Sequence, residues 1–259
     1  MSNIIKVAMI GDLIGVPGQE QLFLKLQGFK RDNNIDFVIA NGENSDDGFG
    51  ITEDIIDKMH SYGVDVITSG NHIWSNHDAG ILLEQNSTLL RPHNYPDAPG
   101  RGWWIGNVLG VDIAVVNLIG RYMMTPVDCP FQTLTRLLKR ELDGIKVIIV
   151  DFHGELMAEK KSFASDFDGR ISLLAGTHTH VQTADELIFH NGTGYITDLG
   201  MTGGINSIIG MERKEILRKL KRQINAPYVP ARENEKMQGI IGEIDLDSGK
   251  TVSITRFNV

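Results

Sequence analysis

The sequence predicts an α/β fold of mixed sheets, and three observations carry that prediction. Short β-branched runs alternate with stretches of helical periodicity through most of the chain. Toward the C-terminus two β-type runs flank Asp247-Ser248-Gly249-Lys250, a hairpin signal. Alternation calls for parallel pairing early, and the hairpin for antiparallel pairing late. The third observation is chemical: histidines, carboxylates and carboxamides follow directly after β-type runs, where open α/β sheets bind ligands. With 259 residues, 41% of them hydrophobic, the chain can bury a sizeable core. A single domain over residues 1–259 is expected, because the longest irregular stretch has the character of a surface loop and not of a linker.

The elements follow in order. Ile4–Ile10 is a strand that runs into the glycine-rich turn GDLIGVPG. A helix comes next, with Leu22, Leu26 and Phe29 sharing a face at i, i+4 and i+7. Phe37–Ala40 is a second strand, and Asp54–Tyr62 a second helix with acidic residues in its first turn, as the helix dipole favours. Val66–Ser69 is a third strand and Asn76–Glu84 a third helix. LRPHNYPDAPGRGWW is the long surface loop, since strands resume directly after it. Val111–Asn117 and Val147–Asp151 are β-branched strands separated by a helix starting near Pro130, a residue tolerated at the first helical position. Leu173–Gly176, Gly194–Asp198, Gly239–Asp245 and Thr251–Phe257 complete the strands.

Charge and composition exclude several classes. A net charge of −8 argues against a general nucleic-acid binder or a protein of anionic membranes. One cysteine, Cys129, rules out an intramolecular disulfide framework and suits a reducing compartment. The opening stretch IIKVAMIGDLIG is too short and too polar for a secretory signal, and no run of about 18 apolar residues occurs. A cytoplasmic location is the resulting expectation. GDLIGVPG lacks the G-x-G-x-x-G spacing and any Walker lysine, so a nucleotide-fold phosphate loop is not supported.

The polar residues after the strands form a coherent donor set. Asp12 follows the first strand, Glu43 and Asn44 the second, and Asn71 and His72 the third. His153 closes Asp151-Phe152-His153, and His178 and His180 sit in Gly-Thr-His-Thr-His. In extended chain, positions i and i+2 face the same side, so the two imidazoles are expected to address one point. Taken singly each has a bland explanation: Asp12 as a helix cap, Asn71 as a turn residue, His153 as a hydrogen-bonded loop residue. Taken together they are a metal-ligand set without thiolate, which excludes a cysteine-type zinc site or an iron–sulfur cluster. Carboxylate and carboxamide oxygens mixed with imidazole suit manganese, iron, zinc or cobalt. So many donors exceed the needs of one ion and fit two sharing a bridging carboxylate, typically about 3.5–4 Å apart.

With these residues in view, the chain resembles the calcineurin-like metallophosphoesterases, and within them the bacterial YmdB-like branch. The stretches that carry the resemblance are IGDLIGVPG, NGEN, TSGNHIW, LLRPHNYP, DFHGE, GTHTHVQTAD and YITDLGMTG, in the family's order. Three departures from the wider superfamily are features of that branch: Ile14 where a histidine would complete Asp-x-His, Glu43 in place of an aspartate, and Ile73 after Gly-Asn-His. The resemblance implies a four-layer sandwich of two mixed β-sheets flanked by helices. It implies one metal among Asp12, Glu43, Asn44 and His180, and a second among Glu43, Asn71, His153 and His178, with Glu43 bridging. His72 would be the catalytic residue outside the metal shell. Two transition-metal ions are expected as cofactors, iron or manganese ahead of zinc. The implied activity is hydrolysis of 2′,3′-cyclic nucleotides by in-line attack of a metal-bridging hydroxide. The alternatives are a metal-dependent phosphomonoesterase or protein phosphatase, and a regulatory platform with little turnover. Expected partners are a small cyclic nucleotide and phosphate, with a homo-oligomeric assembly and no stable nucleic-acid or membrane complex.

Other residues are expected as background. His60, His77, His93 and His190 are read as surface residues, with the Arg91-Pro92-His93-Asn94 loop placed to approach the site. Arg91 and Arg121 are candidates for phosphate or subunit contacts. Trp103-Trp104 and Met123-Met124 are expected in core or interface. Lys214–Arg222 is a basic amphipathic helix expected to turn Ile216, Leu217 and Leu220 inward.

Overall fold

The structure, a computed structural model, describes residues 3–259. The N-terminal part contains β1 (Ile4–Ile10), β2 (Asp12–Leu13), α1 (Gly15–Asn33), β3 (Phe37–Asn41), α2 (Glu53–Tyr62) and β4 (Val66–Thr68). A 3-10 turn at Asn71–Ser75 leads to α3 (Ala79–Gln85), β5 (Trp103–Val108), β6 (Val111–Ile119) and α4 (Pro130–Arg140). Next come β7 (Val147–His153), α5 (Met157–Asp166), β8 (Leu173–Thr177), β9 (Leu187–Ile188) and β10 (Gly194–Ile196). The chain finishes with β11 (Met201–Gly204), α6 (Arg213–Arg222), β12 (Glu235–Lys236), β13 (Gln238–Asp245) and β14 (Thr251–Asn258).

Two mixed sheets stack face to face. One has the order β14-β13-β1-β3-β4, with β1, β3 and β4 parallel and the β13–β14 hairpin antiparallel. The other has the order β5-β6-β7-β8-β10-β9, parallel from β6 to β10 with an antiparallel strand at each edge. Strand alternation sorts the side chains into layers. Ile5, Val7 and Met9 of β1 meet Ile113 and Val115 of β6 and Val147 and Ile149 of β7 between the sheets. The alternate residues, Ala8 and Ile10, face Leu22 and Leu26 of α1 and Ile55, Ile56 and Met59 of α2. On the far side Ala114, Val116, Ile148 and Val150 pack on Leu134 and Leu137 of α4 and Phe163 of α5. Each fully buried aliphatic or aromatic side chain contributes about 1.5–3 kcal/mol, so both faces of each sheet must be covered. The expected α/β architecture of two mixed sheets flanked by helices is thus what the chain adopts.

Several local expectations are corrected. A third sheet, β12-β11-β2, has no counterpart among the expected strands, since strands of two to four residues are too short to show a period. Helix α5 is equally unmarked in the sequence, because it buries Glu159 and Lys160 alongside Phe163 and Ala164 and so lacks an apolar stripe. The helix expected at Asn76–Glu84 begins three residues later, as α3, after a 3-10 turn over Asn71–Ser75 that the sequence did not mark. The long loop ends before Trp103, which opens β5. In α6 only Ile216 is buried, whereas Leu217 and Leu220 stay 41% and 69% exposed. Met123 is exposed and not core. His60 is half-buried, bonded to the Val64 carbonyl and the Thr88 hydroxyl, and so is not a surface residue.

Candidate metal centre

All eight predicted residues lie at carboxyl ends of parallel strands, and the face-to-face sheets turn those ends to one rim. Asp12 stands just past β1, where Gly11 is required because a Cβ there would lie 2.2 Å from the Gly200 carbonyl oxygen. Glu43 and Asn44 follow β3; Asn71 and His72 occupy the 3-10 turn after β4. From the second sheet, His153 ends β7, and His178 and His180 follow β8. Gly70 permits the two sheets' contributions to meet, since a Cβ at that position would fall 2.2 Å from His153 Nε2.

Around His153 Nε2 the donors are crowded. Asn71 Oδ1 lies 3.0 Å away, His178 Nδ1 3.0 Å and Glu43 Oε1 3.1 Å. One ring N–H cannot serve three such neighbours, and Glu43 Oε1 is left without a hydrogen bond of acceptable geometry. Glu43, His153 and His178 offer ligand atoms all within 4.8 Å of one another, a group able to hold a metal ion. Beside it Asp12 Oδ1 lies 3.7 Å from His180 Nε2. Asp12 Oδ1 and Asn44 Oδ1 are also buried with no hydrogen-bond partner. An unpaired buried polar oxygen costs about 1–3 kcal/mol, so three among the residues of one predicted site need a ligand that accepts their lone pairs. A cation fits that donor set.

The remaining atoms of these side chains are already engaged. His153 Nδ1 bonds Thr177 Oγ1 at 3.0 Å, and Thr177 donates to Asp151 Oδ1 at 2.7 Å. Asp151 is buried and also accepts from Thr68 and Asn41. His178 Nε2 faces Glu155 Oε2 at 3.3 Å, and His180 Nδ1 bonds the Ile209 carbonyl at 2.9 Å. Each imidazole therefore has one nitrogen anchored and the other turned to the rim, the arrangement that orients metal-binding histidines. On the opposite side, Asn44 Nδ2 donates to the Gly48 carbonyl, leaving its Oδ1 free. Glu43 Oε2 accepts from the His72 backbone N–H at 2.8 Å.

His178 and His180 converge differently from expectation. Strand β8 ends at Thr177, and both histidines adopt positive φ, 105° and 62°. They do not share a face by strand alternation; a left-handed turn aims His178 at His153 and His180 at Asp12. Non-glycine residues held in sparsely populated backbone regions cost on the order of 1–3 kcal/mol and persist only where the surroundings enforce them. Here Asp198 provides that enforcement, taking the Thr179 and Gly200 backbone N–H groups. Its Oδ2 also pairs with Lys160 Nζ at 2.8 Å, with both side chains fully buried. Lys160 Nζ in addition donates to the Thr177 carbonyl.

Burial dominates the electrostatics. It raises Asp12 to about 7, partly offset by His180 and His153. It likewise raises Asp151, against the hydrogen bonds from Thr68 and Thr177. Burial also pushes Glu43 upward, but His153 and His72 outweigh it and hold the carboxyl below its ordinary range. His178 falls to about 3 through burial and the neighbouring His153, and burial lowers His72. Burial thus favours at His178 the neutral imidazole that ligates metals, whereas at His153 the neighbouring Glu43 and Asp12 outweigh burial and raise the ring.

His72 is set apart from the cluster. Its ring packs edge-on against Phe49, with centroids 4.8 Å apart, and only its backbone touches Glu43. Asp151, Thr177, Lys160, Asp198 and Glu155 escape sequence reasoning. Asp151 does carry a signal, since an acid inside a β-branched strand must be satisfied by neighbours. Arg91 is not free to contact phosphate, because its guanidinium donates to the carbonyls of Pro92, Ala98, Pro99 and Gly100. Arg121 is exposed, with its backbone N–H on Glu159. His93 is half-buried, correcting its assignment to the surface, while His77 and His190 are exposed.

Comparisons with known proteins identify the family. The model of a family described as YmdB-like protein matches residues 8–257. A 2′,3′-cyclic-nucleotide 2′-phosphodiesterase of Bacillus subtilis (strain 168) is 36% identical over 253 residues, covering 97% of this chain and 96% of its own. A solved structure described as a novel phosphatase from Mycoplasma pneumoniae superposes with a TM-score of 0.93 at 30% identity, covering 100% of this chain and 94% of that one. The NAD nucleotidase of Haemophilus influenzae shares the fold, with a TM-score of 0.61 at 13% identity over 100% of this chain and 56% of that one. A family match over nearly the whole chain, together with relatives of equal length, places the protein: this chain belongs to the YmdB-like family.

Proposed function

We propose that the rim holds two transition-metal ions and that the protein is a phosphodiesterase acting on 2′,3′-cyclic nucleotides. By homology the chain is a hydrolase of the phosphodiesterase or phosphatase kind. The observation that carries the metal assignment is the set of buried, unpartnered oxygens on Asp12, Glu43 and Asn44, the first two facing imidazoles anchored through their other nitrogens. Asp12, Glu43, Asn44 and His180 would hold one ion; Glu43, Asn71, His153 and His178 the other. Iron or manganese suits these donors, with zinc also compatible. When bound, two such ions supply a hydroxide nucleophile near neutral pH and neutralise charge on the phosphoryl oxygens.

The chain's own residues do the rest. His72 stands outside both sets and supplies a proton or a hydrogen bond to the departing ribose oxygen. Its backbone bond to Glu43 ties its position to the carboxylate that would be shared between the ions. A strained five-membered cyclic diester requires expulsion of one ribose oxygen only, so a single well-placed imidazole suffices. The choice of 2′,3′-cyclic substrate rests on the Bacillus relative. A phosphomonoesterase with the same metals is the second reading, supported by the Mycoplasma structure's description as a phosphatase.

The test is a turnover panel on metal-reconstituted protein: 2′,3′-cyclic AMP, 3′,5′-cyclic AMP, a bis-aryl phosphodiester and an aryl phosphomonoester. Preference for the 2′,3′-cyclic diester is expected. Preference for the monoester overturns the diesterase assignment.

A further inference from the structure

His153, His178 and His180 each have a ring nitrogen set against a polar partner, Thr177, Glu155 and the Ile209 carbonyl. His72 differs. Among the described residues it bonds only through its backbone N–H, to Glu43 Oε2 at 2.8 Å. An imidazole without an anchor keeps both nitrogens for a substrate, but its orientation must then come from packing.

That packing is aromatic. The Phe49 ring meets the His72 ring edge-on, with centroids 4.8 Å apart and planes at 74°. Such pairs set the positive edge of one ring on the negative face of the other, so the contact is directional and does more than fill space. The loop beneath Phe49 is fixed. Its backbone N–H donates to the Asp46 carbonyl at 2.8 Å, and the Asp46 N–H to the Gly50 carbonyl at 3.0 Å. Gly48 and Gly50, on either side, hold φ at 96° and 80°, where side chains rarely go. The Gly48 carbonyl accepts from Asn44 Nδ2, so the loop that aims Phe49 also carries Asn44 of the candidate metal centre. From the other side Tyr228 packs edge-on against Phe49, at 5.1 Å and 76°. Tyr228 belongs to the stretch between β11 and β12 that contains α6. Lys219 of α6 holds it, with Nζ 4.0 Å from the ring centroid and donating to the hydroxyl. Phe49 is only half-buried and Tyr228 is 38% exposed, so neither belongs to the buried core. The same stretch reaches the rim again where the Ile209 carbonyl bonds His180 Nδ1.

We infer that Phe49 and Tyr228 are positioning residues for His72: Phe49 sets the plane of the imidazole, and Tyr228, clamped by Lys219, keeps Phe49 in place. The consequence for turnover rests on the proton-donating role proposed for His72. A ribose alkoxide is a poor leaving group and needs that proton, whereas an aryl oxide departs readily without one. Misplacing a reacting group by about 1 Å costs on the order of 10²-fold in rate.

The first measurement needs no turnover. In protein reconstituted with zinc, a d¹⁰ ion without unpaired electrons, the ring resonances of His72 are assigned by their loss in His72→Ala. Phe49→Ala should shift them as the neighbouring ring current disappears, and Tyr228→Ala should shift them less. The second measurement compares 2′,3′-cyclic AMP with the bis-aryl diester at equal metal content. Phe49→Ala should lower kcat on the cyclic nucleotide by about 10–100-fold with KM within about threefold, and lose about tenfold less on the bis-aryl diester. Phe49→Tyr should restore most of that loss, and Tyr228→Ala should show the same pattern at a few-fold. Because Tyr228 is exposed, its variant tests the pair even where Phe49→Ala fails to fold. Unmoved His72 resonances, equal losses on the two substrates, or wild-type kcat on the cyclic nucleotide overturns the inference. The resonances are read without turnover and His72→Ala is run on both substrates, so failure of the role given to His72 is distinguishable from failure of the positioning pair.

Discussion

The two sheets contribute to the candidate metal centre in opposite ways. The first, through β1, β3 and β4, delivers Asp12, Glu43, Asn44 and Asn71, and three of their oxygens are buried without a partner. The second, through β7 and β8, delivers three imidazoles, and every one has its outer nitrogen engaged, by Thr177, Glu155 or the Ile209 carbonyl. A carboxylate has lone pairs to spare and needs only to be aimed. An imidazole must also be held in one tautomer, which requires a partner on the far nitrogen. The oxygen side is therefore held by strand ends and a few backbone contacts, while the nitrogen side needs a side-chain network of Asp151, Thr177, Lys160 and Asp198.

That contrast can be broken at graded points. The largest effect is expected from Glu43→Ala, or His178→Ala, which should lower bound metal itself by elemental analysis; unchanged metal content would refute the coordination scheme. His72→Ala should keep both metals yet lose about 10²–10⁴-fold in kcat, the usual range for a positioned acid–base group. Metal loss equal to that of Glu43→Ala would instead make His72 a ligand. Lys160→Met should destabilise the fold by about 3–5 kcal/mol in denaturant titration, because Asp198 is left buried and unpaired. A cost near zero would mean that the buried pair does not enforce the turn after β8.

A subtler cut is Thr177→Val, which removes the hydroxyl between His153 and Asp151 while conserving shape. Metal affinity should fall about 10–100-fold with Thr177→Ser restoring it, as measured by competition with a chelator. Wild-type affinity in the valine variant would show that the anchored nitrogen matters little. The smallest change, a few-fold in the same assay, is expected from Glu155→Gln, whose carboxylate is partly exposed and screened.

Much of the site is legible in the amino-acid sequence alone. Asp12, Glu43, Asn44, Asn71, His153, His178 and His180 each follow a β-type run, and such junctions are where α/β sheets place ligands. The supporting residues are hidden for a physical reason. Lys160 lies on a helix whose apolar periodicity is interrupted by its own burial, and Asp198 follows a strand of three residues. The contact made by α6 is no more local: its amphipathic pattern suggests three inward residues, but the body of the protein meets only Ile216.

The sequence by itself determined the class of fold, the candidate donor residues and the absence of thiolate among them, because these follow from local periodicity and from the chemistry of side chains. Only the tertiary structure decided how the donors meet. His178 and His180 approach their partners through a strained left-handed turn and not through strand alternation, and a buried lysine–aspartate pair from distant segments holds that turn. Long-range burial makes such a conformation sustainable, and no local pattern encodes it.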